Sequence, residues 1–201
     1  MVLTEYKMID KNFKFKLKGK ALVLVDWANV YGWKNNLKQE VDERKLFDYL
    51  KKYREIEEIR FYFGEDKTNK KSGNFLNKVK KDGYRLVKKE VKFIKIFDED
   101  GKNFLLKRKC DFDLEIGLDC FELMDKYQSF IFFSGDGDYK TLYDRLLVRH
   151  KQIIVVFGHG SLGRELVDNK RLFLCEIQKN IPSVLKPRGV IRGIITKKRQ
   201  K

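Results

Sequence analysis

Phe130-Ile131-Phe132-Phe133-Ser134-Gly135-Asp136-Gly137-Asp138 leads an apolar run into two carboxylates one residue apart. A short, continuous apolar run is the mark of a strand buried on both faces. The glycines around Asp136 turn the chain toward a helix expected over 138–149. A buried strand handing on to a helix is the repeating unit of a parallel sheet. Two carboxylates so close repel each other unless a positive group sits between them. A hard divalent cation suits them, because Mg²⁺ takes oxygen ligands and keeps waters and substrate phosphates in its other positions. The stretch therefore predicts an α/β fold and metal-dependent chemistry on phosphates at a strand end.

The same pattern recurs on either side. Ala21-Leu22-Val23-Leu24-Val25 is a second buried-strand run and Asp26 ends it, while Ile59–Phe63 is a third, closed by Gly64. Further strands are expected at 84–87, 152–157 and 171–175, and helices at 42–53, 68–82, 112–126 and 162–168. Phe13, Phe15 and Leu17 alternate with lysines, the period of a half-exposed strand or an edge segment over 12–18. Residues 91–97 and 103–107 flank Asp98-Glu99-Asp100-Gly101, a hairpin signal. Strand and helix alternate almost throughout, which predicts a mostly parallel sheet covered on both faces. Ligands of such sheets bind beyond the carboxyl ends of the strands. Asp26 and Asp136 each lie just past such an end, so two distant acids are placed on one rim. The expected organisation is a basic segment over 1–19, one α/β domain over 20–180, and a basic tail over 181–201. That tail is either a flexible arm or a docked strand around Val190 to Ile195.

Composition narrows the class. The 201 residues are 42% hydrophobic and carry a formal net charge of +16. That is enough apolar residue for one core, and the charge attracts polyanions, nucleic acid first among them. Acids concentrate in 98–125 and 136–144, and lysines in 67–95 and at both ends. No apolar run approaches the roughly 18 residues of a membrane span, and no signal-peptide core opens the chain, so a cytoplasmic protein without membrane contact is expected. Cys110, Cys120 and Cys175 form no C-x-x-C pair, against a disulfide framework or a cysteine zinc site. His150 and His159 are the only histidines, which argues against a Ser-His-Asp hydrolase.

Asp26, Asp113, Asp136 and Asp138 are the candidate cluster. Asn29 stands three residues after Asp26, where it could orient a ligand or a metal-bound water. Asp113 opens the 112–126 helix on a stripe with Gly117, Cys120 and Met124, so it is expected to face inward. Asp119 lies about 120° further round the helix and cannot share the ion squarely with Asp113. Asp111 is the alternative, or an N-cap; the order of preference is Asp113, Asp119, Asp111. Asp136 and Asp138 enter a helix, so either could serve as a cap instead.

Asp26-x-x-Asn29 after a buried strand, Phe112-Asp113-Leu114-Glu115-Ile116 leading to Asp119, and Ser134-Gly135-Asp136-Gly137-Asp138-Tyr139 resemble, in order and spacing, the signature of NYN domains. These form the LabA-like branch of the PIN nuclease superfamily, and the resemblance spans roughly residues 20–175. It implies a Rossmann-like three-layer α/β domain that binds Mg²⁺ or Mn²⁺ and cleaves RNA. Carried over by position, Asp26, Asp113, Asp136 and Asp138 are the metal-binding, catalytic acids, with Asn29, Ser134 and Asp119 in support. The Cys110-Asp111 pair departs from the small residue that the family often has there. The 91–107 hairpin and the basic tail lie outside its most regular part.

A binding surface is legible beside the acids. Lys70, Lys71, Lys88 and Lys89 belong to a basic segment over 67–95 with Phe75, Tyr84 and Phe93 interleaved; such aromatics either stack single-stranded bases or serve the core. Trp27, Tyr31 and Trp33 fall in the expected loop after Asp26, where stacking on a base competes with burial. Gly158-His159-Gly160-Ser161 is a phosphate cradle or a plain turn. The sequence thus predicts a metal-dependent ribonuclease, an endonuclease acting on single-stranded or structured RNA, with a homodimer allowed. A non-catalytic RNA-binding module and a small-molecule phosphohydrolase are the alternatives; the second has no use for so extended a positive field.

Overall fold

The computed structural model describes residues 13–97, 100 and 103–188. In chain order the elements are β1 (Ala21–Asp26), α1 (Trp27–Gly32), β2 (Gln39–Val41), α2 (Glu43–Leu50), β3 (Ile56–Glu65), α3 (Lys70–Asp82), β4 (Arg85–Glu90), β5 (Lys92–Phe97) and β6 (Phe104–Lys109). Then follow α4 (Asp113–Leu123), β7 (Ser129–Phe133), α5 (Lys140–Val148), β8 (Gln152–Phe157), α6 (Arg164–Val167), β9 (Phe173–Glu176), α7 (Ile177–Asn180) and β10 (Leu185–Pro187).

Six strands form one sheet in the order β4-β3-β1-β7-β8-β9, and every pairing in it is parallel. The apolar runs dictate this: β1 and β7 are buried at every residue, as strands covered on both faces must be. Alternation then divides the core in two. Val23, Val25, Phe61, Ile131 and Phe133 face α1, α2 and α3. Leu22, Leu24, Phe130, Phe132 and Val155 face α4 and α5. Each such buried side chain contributes about 1.5–3 kcal/mol. The chain runs from β1 out to β3 and β4, then returns to the other side of β1 with β7. The strand order therefore reverses between β1 and β7, where a crevice opens beyond the strand ends.

The three-layer α/β architecture is the one the alternation predicts. The hairpin is present too, β5 pairing antiparallel with β6 apart from the main sheet. Several expectations are corrected. Residues 13–18 form no strand; Phe13 and Phe15 instead pack edge to face and Phe15 reaches Tyr49 and Tyr53. The loop expected after Asp26 is α1, followed by a single 3-10 turn over Trp33–Asn35. The helix expected over 138–149 opens with a 3-10 turn, Gly137–Tyr139. In the C-terminal part, Ile181, Val184 and Leu185 are core residues, and β10 docks antiparallel on β2. The strand considered around Val190 to Ile195 lies outside the described residues.

Candidate metal centre at the sheet rim

Asp26 is the last residue of β1 and Asp136 lies three residues past β7, so the two acids flank the point where strand order reverses. Alternation sends the Asp26 side chain to the face of Leu22 and Leu24, under α4 and α5. There it is 8% exposed. One carboxylate oxygen accepts from the Asn29 N–H (3.3 Å) and the other from the Tyr139 hydroxyl (3.4 Å). Burial pushes its pKa up to about 6, and the nearby charges of Asp113 and Asp136 push the same way. Asp113, at the first turn of α4, is raised as well, first by partial burial and then by Asp136, Asp111 and Asp138, while a hydrogen bond from Tyr139 opposes the rise. Asp26, Asp113, Asp136 and Asp138 thus share one electrostatic neighbourhood.

The loop after β7 is built by its glycines. Gly135 packs so closely on the Ser161 carbonyl oxygen that no Cβ fits, and the Gly163 N–H donates to the Gly135 carbonyl (2.7 Å). Gly137 likewise leaves room for the Glu165 carboxylate and the Gly163 backbone. The buried Ser134 hydroxyl accepts from the Asp136 N–H (3.3 Å). Asn29 Oδ1 accepts both the Trp33 indole N–H (2.8 Å) and the Gly135 N–H (3.2 Å). Asn29 therefore staples the β1 end to the β7 loop with its carbonyl oxygen, and Ser134 holds the turn from below.

Other expectations change here. Asp136, not Asp138, is the cap, accepting from the Asp138 N–H (3.0 Å). Asp113 is exposed at the rim rather than directed inward, and at Gly117, on its expected inward stripe, an added Cβ would meet nothing. The N-cap of α4 is Phe112, with no side-chain hydrogen bond, so Asp111 does not cap it. Asp119 is bound elsewhere: Arg60 pairs with it at 2.5 Å and Tyr62 donates to it at 2.6 Å, while Arg60 also holds Glu58. It belongs to a structural clamp between β3 and α4 and not to the acids acting on Asp26.

Trp33 is 2% and Trp27 7% exposed. Trp33 packs against Gly158, and Trp27 lies on Phe61 and Phe75. Neither offers a free face for stacking; Tyr31, with Lys34 over its ring, is exposed. Lys88 pairs with Glu65, and Lys89 with Glu115. Lys70 and Lys71 are exposed, with no ion pair among the described residues. Gly158 to Ser161 is a turn closed by the Ser161 N–H on the Gly158 carbonyl (2.9 Å).

Tyr139 is the residue that reading for acids passes over. Its hydroxyl serves Asp26 and Asp113 alike, and with one proton it donates to one of them at a time. Its only signal is its place directly after Asp138. Tyr139→Phe removes that donor and leaves the ring. Partners of ligating groups are worth 10–100-fold in metal affinity, so we expect a roughly tenfold weaker Mn²⁺ affinity by calorimetric titration, with the fold retained.

Among the described residues no group of three acids, histidines or cysteines is gathered closely enough to hold an ion. The donor set nevertheless fits Mg²⁺ or Mn²⁺. It is all oxygen, and Mg²⁺ is ordinarily held by one or two carboxylates together with waters and phosphates.

Fold and rim together define a Rossmann-like α/β domain with acids at its topological switch point. The sequence profile of the NYN domain matches residues 20–175. The chain belongs to the NYN family. It is 25% identical over 145 residues to the low amplitude and bright protein LabA of Synechococcus elongatus, covering 72% of this chain and 76% of LabA. Its fold is also that of a protein of unknown function from Vibrio parahaemolyticus, with a TM-score of 0.64, 22% identity, and coverage of 86% of this chain and 99% of the other. No helix among the described residues is long and apolar enough to cross a membrane.

Proposed function

We propose that the chain is a metal-dependent ribonuclease, an endonuclease that hydrolyses RNA phosphodiesters at the rim between β1 and β7. The observation that carries this reading is the placement of Asp26 and Asp136 on adjacent strand ends with Asp113 and Asp138 beside them, close enough for their charges to add to the burial that raises the pKa of Asp26 and Asp113. Asp26 and Asp136, with Asp113 and Asp138, would hold Mg²⁺ or Mn²⁺. A bound ion of this kind polarises a phosphoryl oxygen and lowers the pKa of its water. Water oxygen bonds to phosphorus, the bond to the leaving ribose oxygen breaks, and the water's proton ends on that oxygen. The chain's own part is to fix the acids through Asn29, Ser134 and Tyr139. The +16 charge draws in the polyanion.

The test is cleavage of RNA by purified protein in Mg²⁺ or Mn²⁺ beside Asp136→Asn. Partners of a ligand already cost 10–100-fold, so losing a ligand is expected to cost more than about 100-fold. Equal cleavage by both proteins would point to a contaminant and sink the assignment. The absence of a tight three-acid group among the described residues favours a second reading, an RNA-binding module without turnover. It predicts metal-independent binding that weakens steeply with salt and no cleavage by either protein.

A further inference from the structure

The hairpin of β5 and β6 stands outside both halves of the core, and none of its described side chains packs in either. It pairs with no third strand among the described residues, and β5 is exposed at every position. A two-stranded hairpin in water is marginally stable unless something packs on it. This one nevertheless leaves Ile94, Ile96, Phe97, Phe104, Leu105 and Leu106 in the open. A contiguous apolar surface of that extent marks a docking site.

The register divides these side chains between two faces. Ile96 lies opposite Leu105, Ile94 opposite Lys107 and Lys92 opposite Lys109, so these side chains share one face. Phe97 and Phe104 oppose each other on the second face, their ring centroids 5.8 Å apart. Lys95 covers the Phe104 ring at 4.5 Å, so that face is partly closed by its own side chains. The aliphatic face has no such cover, and Leu105 on it is 78% exposed. Along it the charge changes sign. Lys92 and Lys109 stand at the end nearest β4 and α4, with no ion pair among the described residues. At the other end the connection between the strands carries Asp98, Glu99 and Asp100 in sequence, and Asp100 is exposed.

That pattern decides the partner. Aliphatic side chains do not stack on bases, and acids at the turn repel the phosphates of RNA or of a lipid surface. A second copy of the hairpin meets every feature. Turned antiparallel by a two-fold axis, it lays Ile94, Ile96 and Leu105 on the same three residues. The acidic turn of each copy then lies over the Lys92 and Lys109 end of the other. A two-fold interface must be self-complementary in this way, and a parallel pairing would set lysines against lysines. The net charge of +16 opposes association at long range. Physiological salt screens it beyond about 8 Å, which leaves the contact's own charges to decide.

We propose that the chain forms a homodimer through the Ile94, Ile96 and Leu105 face of this hairpin, the two copies running antiparallel. The contact is at the low end of interface sizes, so the dimer is weak and depends on concentration. The hairpin follows the carboxyl end of β4 and leads into α4, which begins with Asp113. The interface therefore lies on the side of the sheet that bears the acids. It needs neither metal nor RNA, so it stands apart from the ribonuclease reading.

Sedimentation equilibrium of the full chain in EDTA at physiological salt, from micromolar to submillimolar concentrations, tests the pairing. The wild-type protein is expected to approach twice the mass of one chain. Leu105→Glu, at an exposed position, is expected to remain monomeric with an unchanged melting temperature. Lys109→Glu and Asp100→Lys should each weaken the dimer about tenfold by setting like charges together, and combining them should restore it. Those reversals carry the test alone if Leu105→Glu does not fold. A wild-type chain that stays monomeric, a Leu105→Glu variant that still dimerises, or reversals that do not compensate would overturn the interface. A monomeric wild type whose RNA affinity falls in Leu105→Glu would overturn it too, and give the hairpin to RNA.

Discussion

Asp26→Asn is expected to unfold at a higher temperature than the wild-type protein at pH 8 in EDTA, and to cleave RNA more than about 100-fold more slowly. The stability gain follows from the pKa of Asp26, raised from 3.8 to about 6 chiefly by burial. A carboxyl whose folded pKa lies above its unfolded value binds its proton more tightly in the native state. Native stability is therefore unreduced below pH 4 and is lost as pH rises through 6. Above that window the cost is on the order of 3 kcal/mol at 1.36 kcal/mol per unit. The isosteric amide removes the charge and keeps an oxygen for the Asn29 N–H. Part of the gain goes to satisfying the new amide hydrogens, so about 1–3 kcal/mol is expected. Thermal melts at pH 4 and pH 8 check the sign, because the difference should nearly vanish at the lower pH. Mn²⁺ should raise the wild-type midpoint by linkage and leave the variant almost unmoved. A variant less stable than wild type at pH 8 would show that the Asp26 hydrogen bonds outweigh its desolvation.

Features set by neighbours in sequence were legible, and those set across the fold were not. The buried runs of β1, β7 and β8 announce themselves by continuous apolarity, and Asp26 and Asp136 are on the rim because they end or follow such runs. Asp119 shows the converse. Helical geometry placed it out of line with Asp113, but its partner Arg60 comes from β3, and no local pattern links them. Trp27 and Trp33 looked like loop aromatics because α1 has only six residues, WANVYG, too few for a period to show. Their burial depends on Phe75 and Gly158, far along the chain. The cap at Asp136 rather than Asp138 turned on where the 3-10 turn begins, a difference of two residues that composition does not fix. The cavity of about 560 Å³ lined by Trp27, Phe63 and Phe75 could not be read at all, since its walls come from α1, β2, α2, β3, α3, β10 and Cys110 after β6.

Gly135→Ala should be the most damaging small change in the chain, lowering stability and activity together. The added methyl would overlap the Ser161 carbonyl oxygen and crowd the Phe157 side chain. The obstacle is backbone, so no rotamer change relieves it. One of the two loops must move, and the hydrogen bond from Gly163 to the Gly135 carbonyl ties them together. Overpacking ordinarily costs 1–3 kcal/mol; with backbone on both sides we expect about 3 kcal/mol. At roughly 2–4 °C per kcal/mol for a domain of this size, the midpoint falls by about 10 °C. Asp136 is the next residue, and a displacement near 1 Å is enough to cost on the order of 100-fold in rate. Gly73→Ala is the matched control. It lies in α3, where an added Cβ meets nothing within 4 Å, and alanine there should stabilise the helix by about 0.5–1 kcal/mol. Melts of the two variants would settle whether Gly135 is required by contact or merely tolerated. If Gly135→Ala melts like wild type, the β7 loop is not pinned by Ser161, and the position of Asp136 must be held by Ser134 and Asn29 alone.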